Sequence, residues 1–326
     1  MNNYNWWQKK LHHLVLDSQF IREVTFDVES FRHPVAQDDN HVFIVGLARS
    51  GTTALLSALH KANEFSSLSY ADMPFVLAPN LWSKINPQRA SAKWTERAHG
   101  DGVRVSVTSP EAFEEVFWQT FSDAENDSAE KFKTYVSLVN NKYGKTRYLS
   151  KNNQNIRRLD RLANIFPDSK ILIPFRDPLQ HSFSLLNQHE RFLENSKEDK
   201  FIEKYMKWIG HTEFGPNYCP IHNKNLRFND TGDINHWLEQ WLLVYSGASD
   251  IKTDRNNRTF ICYEQLCESQ DYWFQLLAML GVSRKYDFKF EESKKGSFLG
   301  IDNELGVKTS KLYSRLCASS ADQLHD

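Results

Sequence analysis

Short apolar runs alternate with stretches of helical periodicity along most of this chain. VFIV (42–45), RYLSK (147–151), KILIPF (170–175) and RTFICY (258–263) read as strands, with a weaker strand-like run from Phe65 to Leu68. Between them lie amphipathic helices. Ile156, Leu159, Leu162, Ala163 and Phe166 share one face of a helix that ends before Pro167. Ser109-Pro110-Glu111 opens another, continued by Phe113, Val116, Phe117 and Phe121. Trp237, Leu238, Trp241, Leu242 and Tyr245 mark a third, and Trp273, Leu276, Leu277 and Leu280 a fourth, stopped by Gly281. Strands alternating with helices predict an α/β fold, a central parallel sheet flanked by helices.

Three segments depart from this rhythm. Residues 1–40 read as an N-terminal helical lead-in, with Trp6 and Trp7 available to the core or to a partner, a second copy of the chain among the candidates. DAENDSAEK (123–131) is polar and reads as a solvated loop. Residues 190–235 carry little periodicity beyond KFIEKYMKWIG, which suggests an insertion acting as a lid or an acceptor-binding loop. With no internal repeat, the expectation is one domain spanning 1–326 with insertions.

The loop between the first strand and its helix gives the first chemical information. In HVFIVGLARSGTTALLSALH (41–60) a glycine-bounded loop feeds a helix entered through Thr52 and Thr53. Such a turn aims backbone N–H groups and the positive end of the helix dipole at an anion. The spacing from Gly46 to Gly51 is that of a P-loop, G-x-x-x-x-G-K-[ST], but Thr52 stands where the lysine belongs and Arg49 sits inside the loop. The loop suits a phosphate, and its user differs from an ordinary Mg-ATP enzyme.

Composition narrows the class. The chain has 326 residues, a net charge of −1 and 40% hydrophobic residues, enough for a large core and without an electrostatic footprint for nucleic acid. No run reaches the roughly 18 apolar residues of a membrane span, and Asp17 interrupts the short LVL segment near the N-terminus, so no signal peptide is read there. Four cysteines without a CxxC pair read as reduced thiols, and the expected location is cytoplasmic.

A second segment, ILIPFRDPLQHSFSLLNQH (171–189), puts Arg176 at the carboxyl edge of a strand, where α/β sheets bind ligands, and Ser184 two turns into the following helix. The guanidinium and the hydroxyl can clamp a second phosphate together. A P-loop-like R-S-G-T-T without lysine, followed by R-D-P and a serine eight residues past the arginine, resembles the sulfotransferases that use 3′-phosphoadenosine 5′-phosphosulfate (PAPS). The resemblance runs from about His41 to Tyr263, and is nearer to the tyrosylprotein and carbohydrate types and to a bacterial group than to the cytosolic aryl type.

That resemblance implies roles residue by residue. Arg49, Ser50, Gly51, Thr52 and Thr53 match the 5′-phosphosulfate loop, and Arg176 with Ser184 matches the 3′-phosphate site. Lys151 matches a lysine that contacts the sulfuryl group, and Tyr263-Glu264 resembles a YE-x-L element beside the nucleotide. For the general base the same path leads to Asp72 in SSLSYADMPFVLAPNLW, with Glu64 as its alternative; Asp72 also suits a cap at the turn entering Met73-Pro74. Lys294-Lys295-Gly296 reads as a charged turn, and His12, His13, His181 and His189 as structural or surface residues. The implied reaction is in-line sulfuryl transfer from PAPS to a hydroxyl of a carbohydrate, lipid or small metabolite, with PAP as product and no metal required. Phe75, Trp82, Trp94, Tyr205 and Trp208 are the acceptor-facing aromatics to expect. Two other classes stay open: a P-loop kinase or NTPase, and a nucleotide-binding module without catalysis.

Overall fold

Among the described residues, seven strands run in chain order: β1 (Val42–Ile44), β2 (Phe65–Ser66), β3 (Thr95–Glu96), β4 (Arg104–Val105), β5 (Arg147–Lys151), β6 (Lys170–Phe175) and β7 (Arg258–Cys262). The computed structural model describes residues 6–33, 40–86, 95–96, 104–106, 108–121, 127–196, 200–223, 225–250, 257–292, 296 and 299–325. Five of the strands form one sheet in the order β2-β5-β1-β6-β7, and every neighbouring pair is parallel. The short β3 and β4 pair antiparallel with each other.

Strand β1 is buried along its whole length because helices cover both faces of the sheet. Its alternating side chains enter two different apolar clusters. Phe43 joins Ile171, Ile173 and Phe260 on one face, while Val42 and Ile44 join Leu149, Leu172 and Ile261 on the other. Truncating Phe43, fully buried among Tyr148, Phe132 and Phe166, would cost about 3–5 kcal/mol.

The helices before β5 are α1 (Trp6–Asp17), α2 (Gln19–Ser30), α3 (Thr52–His60), α4 (Pro79–Ile85), α5 (Glu115–Thr120) and α6 (Ser128–Tyr143). Between β5 and β7 come α7 (Leu159–Ile165), α8 (Pro178–Asn195), α9 (Lys200–Trp208) and α10 (Ile234–Asp250). After β7 the chain closes with α11 (Tyr263–Glu268), α12 (Gln270–Met279) and α13 (Asn303–His325). Helix α10 packs against α8 and α13, and α13 lies along β7. No helix among the described residues is long and apolar enough to cross a membrane.

Several boundaries differ from the sequence expectation for identifiable reasons. The lead-in is two helices, because Ser18 caps α2 by accepting from the Ile21 N–H. The helix expected from Ser109 starts only at Glu115. The chain at Pro110 instead bridges to Ser69, and the Glu111 N–H donates to the Leu68 carbonyl. The helix expected from Ile156 is shortened to α7, since Asn152 caps the Gln154 N–H and sets up a 3-10 turn over Asn153–Arg157. Within the polar stretch 123–131, α6 already begins at Ser128, and the rest of that stretch before Asp127 lies outside the described residues.

Candidate active site

The carboxyl ends of β1, β5, β6 and β7 bring the chemistry-bearing residues to one edge of the sheet. β1 lies between β5 and β6, and the chain leaves it toward β2 before returning to β6 on the other side. This is a topological switch point, where the outgoing loops splay apart and open a crevice. The loop after β1 turns through two left-handed residues, Arg49 at φ 68° and Gly51 at φ 96°, before α3 begins at Thr52. Gly51 caps α3 without any side-chain hydrogen bond, so the first-turn amides are left for a ligand. A Cβ on Gly51 would lie 2.2 Å from the Tyr263 ring, so only glycine fits between loop and ring.

The second segment locks onto the first. Arg176 donates from Nη1 to the Arg49 carbonyl at 2.9 Å, and Arg49 donates from Nε to Ser184 Oγ at 3.2 Å. His181, on the same helix as Ser184, donates from Nε2 to the Ala48 carbonyl at 2.7 Å. A carbonyl can only accept, so the ring is neutral and Nε2-protonated; burial, reinforced by the nearby Arg176 charge, pushes its pKa down to about 3. Asp177 caps α8 by accepting from the Gln180 N–H, and its own N–H donates to Glu264. Tyr263 is fixed by its hydroxyl donating to the Glu291 carbonyl and lies under the Arg176 guanidinium, 5.8 Å from the ring centre.

These groups line a cleft of about 530 Å³. Arg49, Gly51, Thr52, Thr53, Lys151, Arg176, Ser184 and Tyr263 all face it, while Ser50 is fully buried beneath the loop. Arg176 is 7% exposed, and its Nε has no hydrogen-bond partner among the described residues. An unsatisfied, buried guanidinium nitrogen at a cleft wall fits an anionic ligand that supplies the missing acceptor. Burial also lowers the Arg176 pKa, with Glu264 the foremost of the opposing groups.

Other cleft residues were not marked by any motif. Gln180, Asn187 and Arg191 project from α8, while His211, Glu213 and Phe214 come from the 190–235 insertion. Gln180 also pairs with Gly296, exchanging side-chain and backbone hydrogen bonds, whereas Lys294 and Lys295 lie outside the described residues. The signal for the α8 residues was available: they share with Ser184 the helix that Asp177 caps directly after Arg176. The insertion offered less, beyond Gly210 closing a strongly amphipathic helix.

The structure places two groups of expected residues away from the cleft lining. Asp72 does not reach the cleft. It is fully buried in a 3-10 turn (Tyr70–Asp72), where its carboxylate accepts from the Ser69 N–H and hydroxyl and from the Tyr143 hydroxyl, and pairs with Lys142. The capping role open to an aspartate before Met73-Pro74 is the one the structure contains. Glu64 is likewise remote, accepting from the Ser283 N–H and lying 3.8 Å from Arg147. Of the expected acceptor aromatics, Tyr205 and Trp208 are core residues, Phe75 stacks on Trp82, and Trp94 lies outside the described residues. The aromatics that do line the cleft are Phe183, Phe192, Phe214 and Tyr263.

Comparison with known proteins agrees with this architecture. A model described as "Sulfotransferase family" matches residues 41–283, well over half of the chain. Among solved structures, the sulfotransferase STF1 from Mycobacterium tuberculosis H37Rv aligns with a TM-score of 0.50 at 12% identity, covering 96% of this chain and 87% of that one. A sulfotransferase from Alicyclobacillus acidocaldarius aligns at 16% identity with a TM-score of 0.41, covering 89% of this chain and 97% of that one. No curated protein sequence matches the chain. The STF1 alignment supports the P-loop-like α/β fold, and the match to the family model over the segment that builds the cleft settles kinship: the chain belongs to the sulfotransferase family.

Proposed function

We propose that the cleft takes PAPS as sulfuryl donor and transfers the group to a hydroxyl of an acceptor that enters beside the 190–235 insertion. The observation that carries this reading is the convergence of two anion-binding elements, the Arg49–Thr53 loop and the Arg176–Ser184 pair, in one cleft through direct hydrogen bonds. A donor with phosphates at both ends of one ribose needs two such elements; a nucleoside triphosphate needs only the loop.

In this reading the loop amides and Arg49 hold the 5′-phosphosulfate, and Arg176 with Ser184 holds the 3′-phosphate. The acceptor oxygen attacks sulfur in line, and the bond from sulfur to the bridging phosphate oxygen breaks as PAP departs. Lys151, at the cleft end of β5, stabilises the charge that develops there. Positioning and charge neutralisation supply most of the rate in such group transfers. Asp177, the acid that follows β6, spends its carboxylate on capping α8, which disfavours a kinase reading that would need it for Mg²⁺. Binding of PAP compared with ADP tests the donor assignment, and transfer of label from ³⁵S-PAPS into hydroxyl compounds of a cell extract tests the activity. Equal affinity for PAP and ADP would remove PAPS from the reading.

A further inference from the structure

With Asp72 sequestered, the proton of the acceptor hydroxyl needs another destination. We propose that His211, oriented by Glu213, is the general base of this site. The inference rests on the sulfuryl-transfer reading above and adds to it the group that activates the acceptor.

Both residues line the cleft, and a segment anchored by several hydrogen bonds delivers them there. Helix α9 ends in a Schellman motif: the Gly210 N–H donates to the Lys207 carbonyl at 3.2 Å and the His211 N–H to the Met206 carbonyl at 2.9 Å. Gly210 sits at φ 73°, and a Cβ there would lie 2.3 Å from Glu115 Cγ, so the turn is specific to glycine. Thr212 then accepts from the Gln154 side chain at 3.1 Å, and Glu213 from Asn153 at 3.0 Å. The partners stand two and three residues after Lys151, which ties the insertion to the end of β5 where sulfuryl transfer is placed by the proposal.

Within the pair, His211 Nδ1 donates to Glu213 Oε2 at 3.2 Å. A carboxylate can only accept, so the neutral ring is Nδ1-protonated and its basic atom is Nε2. Burial alone would raise the Glu213 carboxyl, but the His211 and Lys151 charges and the hydrogen bond from His211 outweigh it and hold it down to about 2. An acid that strong is a poor proton acceptor near neutrality, whereas imidazole is well matched. Glu213 is thus a positioning residue that fixes the tautomer and stabilises the imidazolium. The other charged groups lining the cleft are Arg49, Lys151, Arg176, Arg191, Glu291 and Glu292. In the step itself the acceptor oxygen bonds to sulfur, its proton passes to Nε2, and the electron pair of the broken S–O bond leaves on PAP. Water then takes the proton from the imidazolium.

The pair can be tested without knowing the natural acceptor. Nitrogen-15 spectra of the imidazoles, assigned with His211→Asn, should show an Nδ1-protonated His211 ring at pH 8. Glu213→Gln should release the ring to a mixture of both tautomers. An Nε2-protonated ring, or a tautomer indifferent to Glu213→Gln, overturns the pairing. With phenol and PAPS as probe substrates, His211→Asn should lower kcat by about 10²–10⁴-fold while PAP affinity stays within twofold. Glu213→Gln should lower kcat less than His211→Asn does, with PAP affinity again within twofold. Retained turnover in His211→Asn overturns the base assignment, whereas failure of the wild-type protein to prefer PAP over ADP overturns the donor reading instead.

Discussion

Arg176 donates to the backbone carbonyl of Arg49, 127 residues earlier in the chain, at 2.9 Å. This contact makes the two anion-binding segments one unit: the arginine that would hold one phosphate also fixes the loop that would hold the other. Occupancy at either end is therefore expected to order the other.

Ser184 reports on this unit from the opposite side. Its hydroxyl accepts from Arg49 Nε, so Ser184→Ala removes one charge-assisted contact from the loop and one from the ligand. A loss of about 1–2 kcal/mol, roughly 5- to 30-fold in PAP affinity, is expected by calorimetry with the melting temperature nearly unchanged. Unchanged affinity would place Ser184 outside the site.

Gly51 is where loop and nucleotide wall meet. Gly51→Ala puts a methyl group against the Tyr263 ring and forces a left-handed backbone on alanine, costing about 1–3 kcal/mol of stability. PAP affinity should fall at least tenfold. The double variant Gly51→Ala/Tyr263→Ala should show non-additive stability, because the second change removes the clash; strict additivity in urea titrations contradicts the packing described.

Asp72 tests the correction made to the sequence reading. Asp72→Asn breaks a buried pair with Lys142 and weakens the contacts with Ser69 and Tyr143, for a loss of about 3–5 kcal/mol in denaturant unfolding. PAP affinity and kcat of the folded fraction should stay within about twofold. Abolished turnover in a protein of undiminished stability would return Asp72 to the role of base.

His181 links the loop to pH. Its pKa is about 3 in the folded state against 6.5 for an ordinary histidine, so between those values the unfolded chain binds the proton that the folded chain refuses. Stability must fall as pH drops through that window, by up to about 1.4 kcal/mol per unit. Glu213, held at about 2 against 4.5, adds loss in the same direction only below pH 4.5. Urea midpoints between pH 6.5 and 4.5 should therefore fall in the wild type and fall less steeply in His181→Gln, where His12, His60 and His189, also lowered by burial, keep part of the slope; equal slopes would exclude His181 as a source.

The sheet and the loop side of the cleft were legible because their information is local. Strand runs such as KILIPF carry their own burial pattern, and Arg49, Arg176 and Ser184, which line the cleft, stand at fixed offsets from a strand end or a helix start. The insertion side was not. His211 and Glu213 lie in an irregular segment with no periodicity, and the contacts that anchor it, Glu213 with Asn153 and Thr212 with Gln154, join positions some sixty residues apart. The surroundings of Asp72 were illegible for the complementary reason: an acid after a strand looks the same whether it faces a cleft or a buried lysine, and Lys142 arrives from α6, seventy residues later. His181 was passed over because nothing in its neighbours shows that it reaches across to Ala48.

The donor assignment is tested most directly by calorimetric titration of PAP and ADP into the wild-type protein and Arg176→Ala. The account predicts that the wild type binds PAP at least 100-fold more tightly than ADP, corresponding to about 2.7 kcal/mol for the 3′-phosphate contacts. In Arg176→Ala that preference should shrink to tenfold or less, mainly by weakening PAP. Equal affinities in the wild type, or a preference that survives the loss of Arg176, would contradict it.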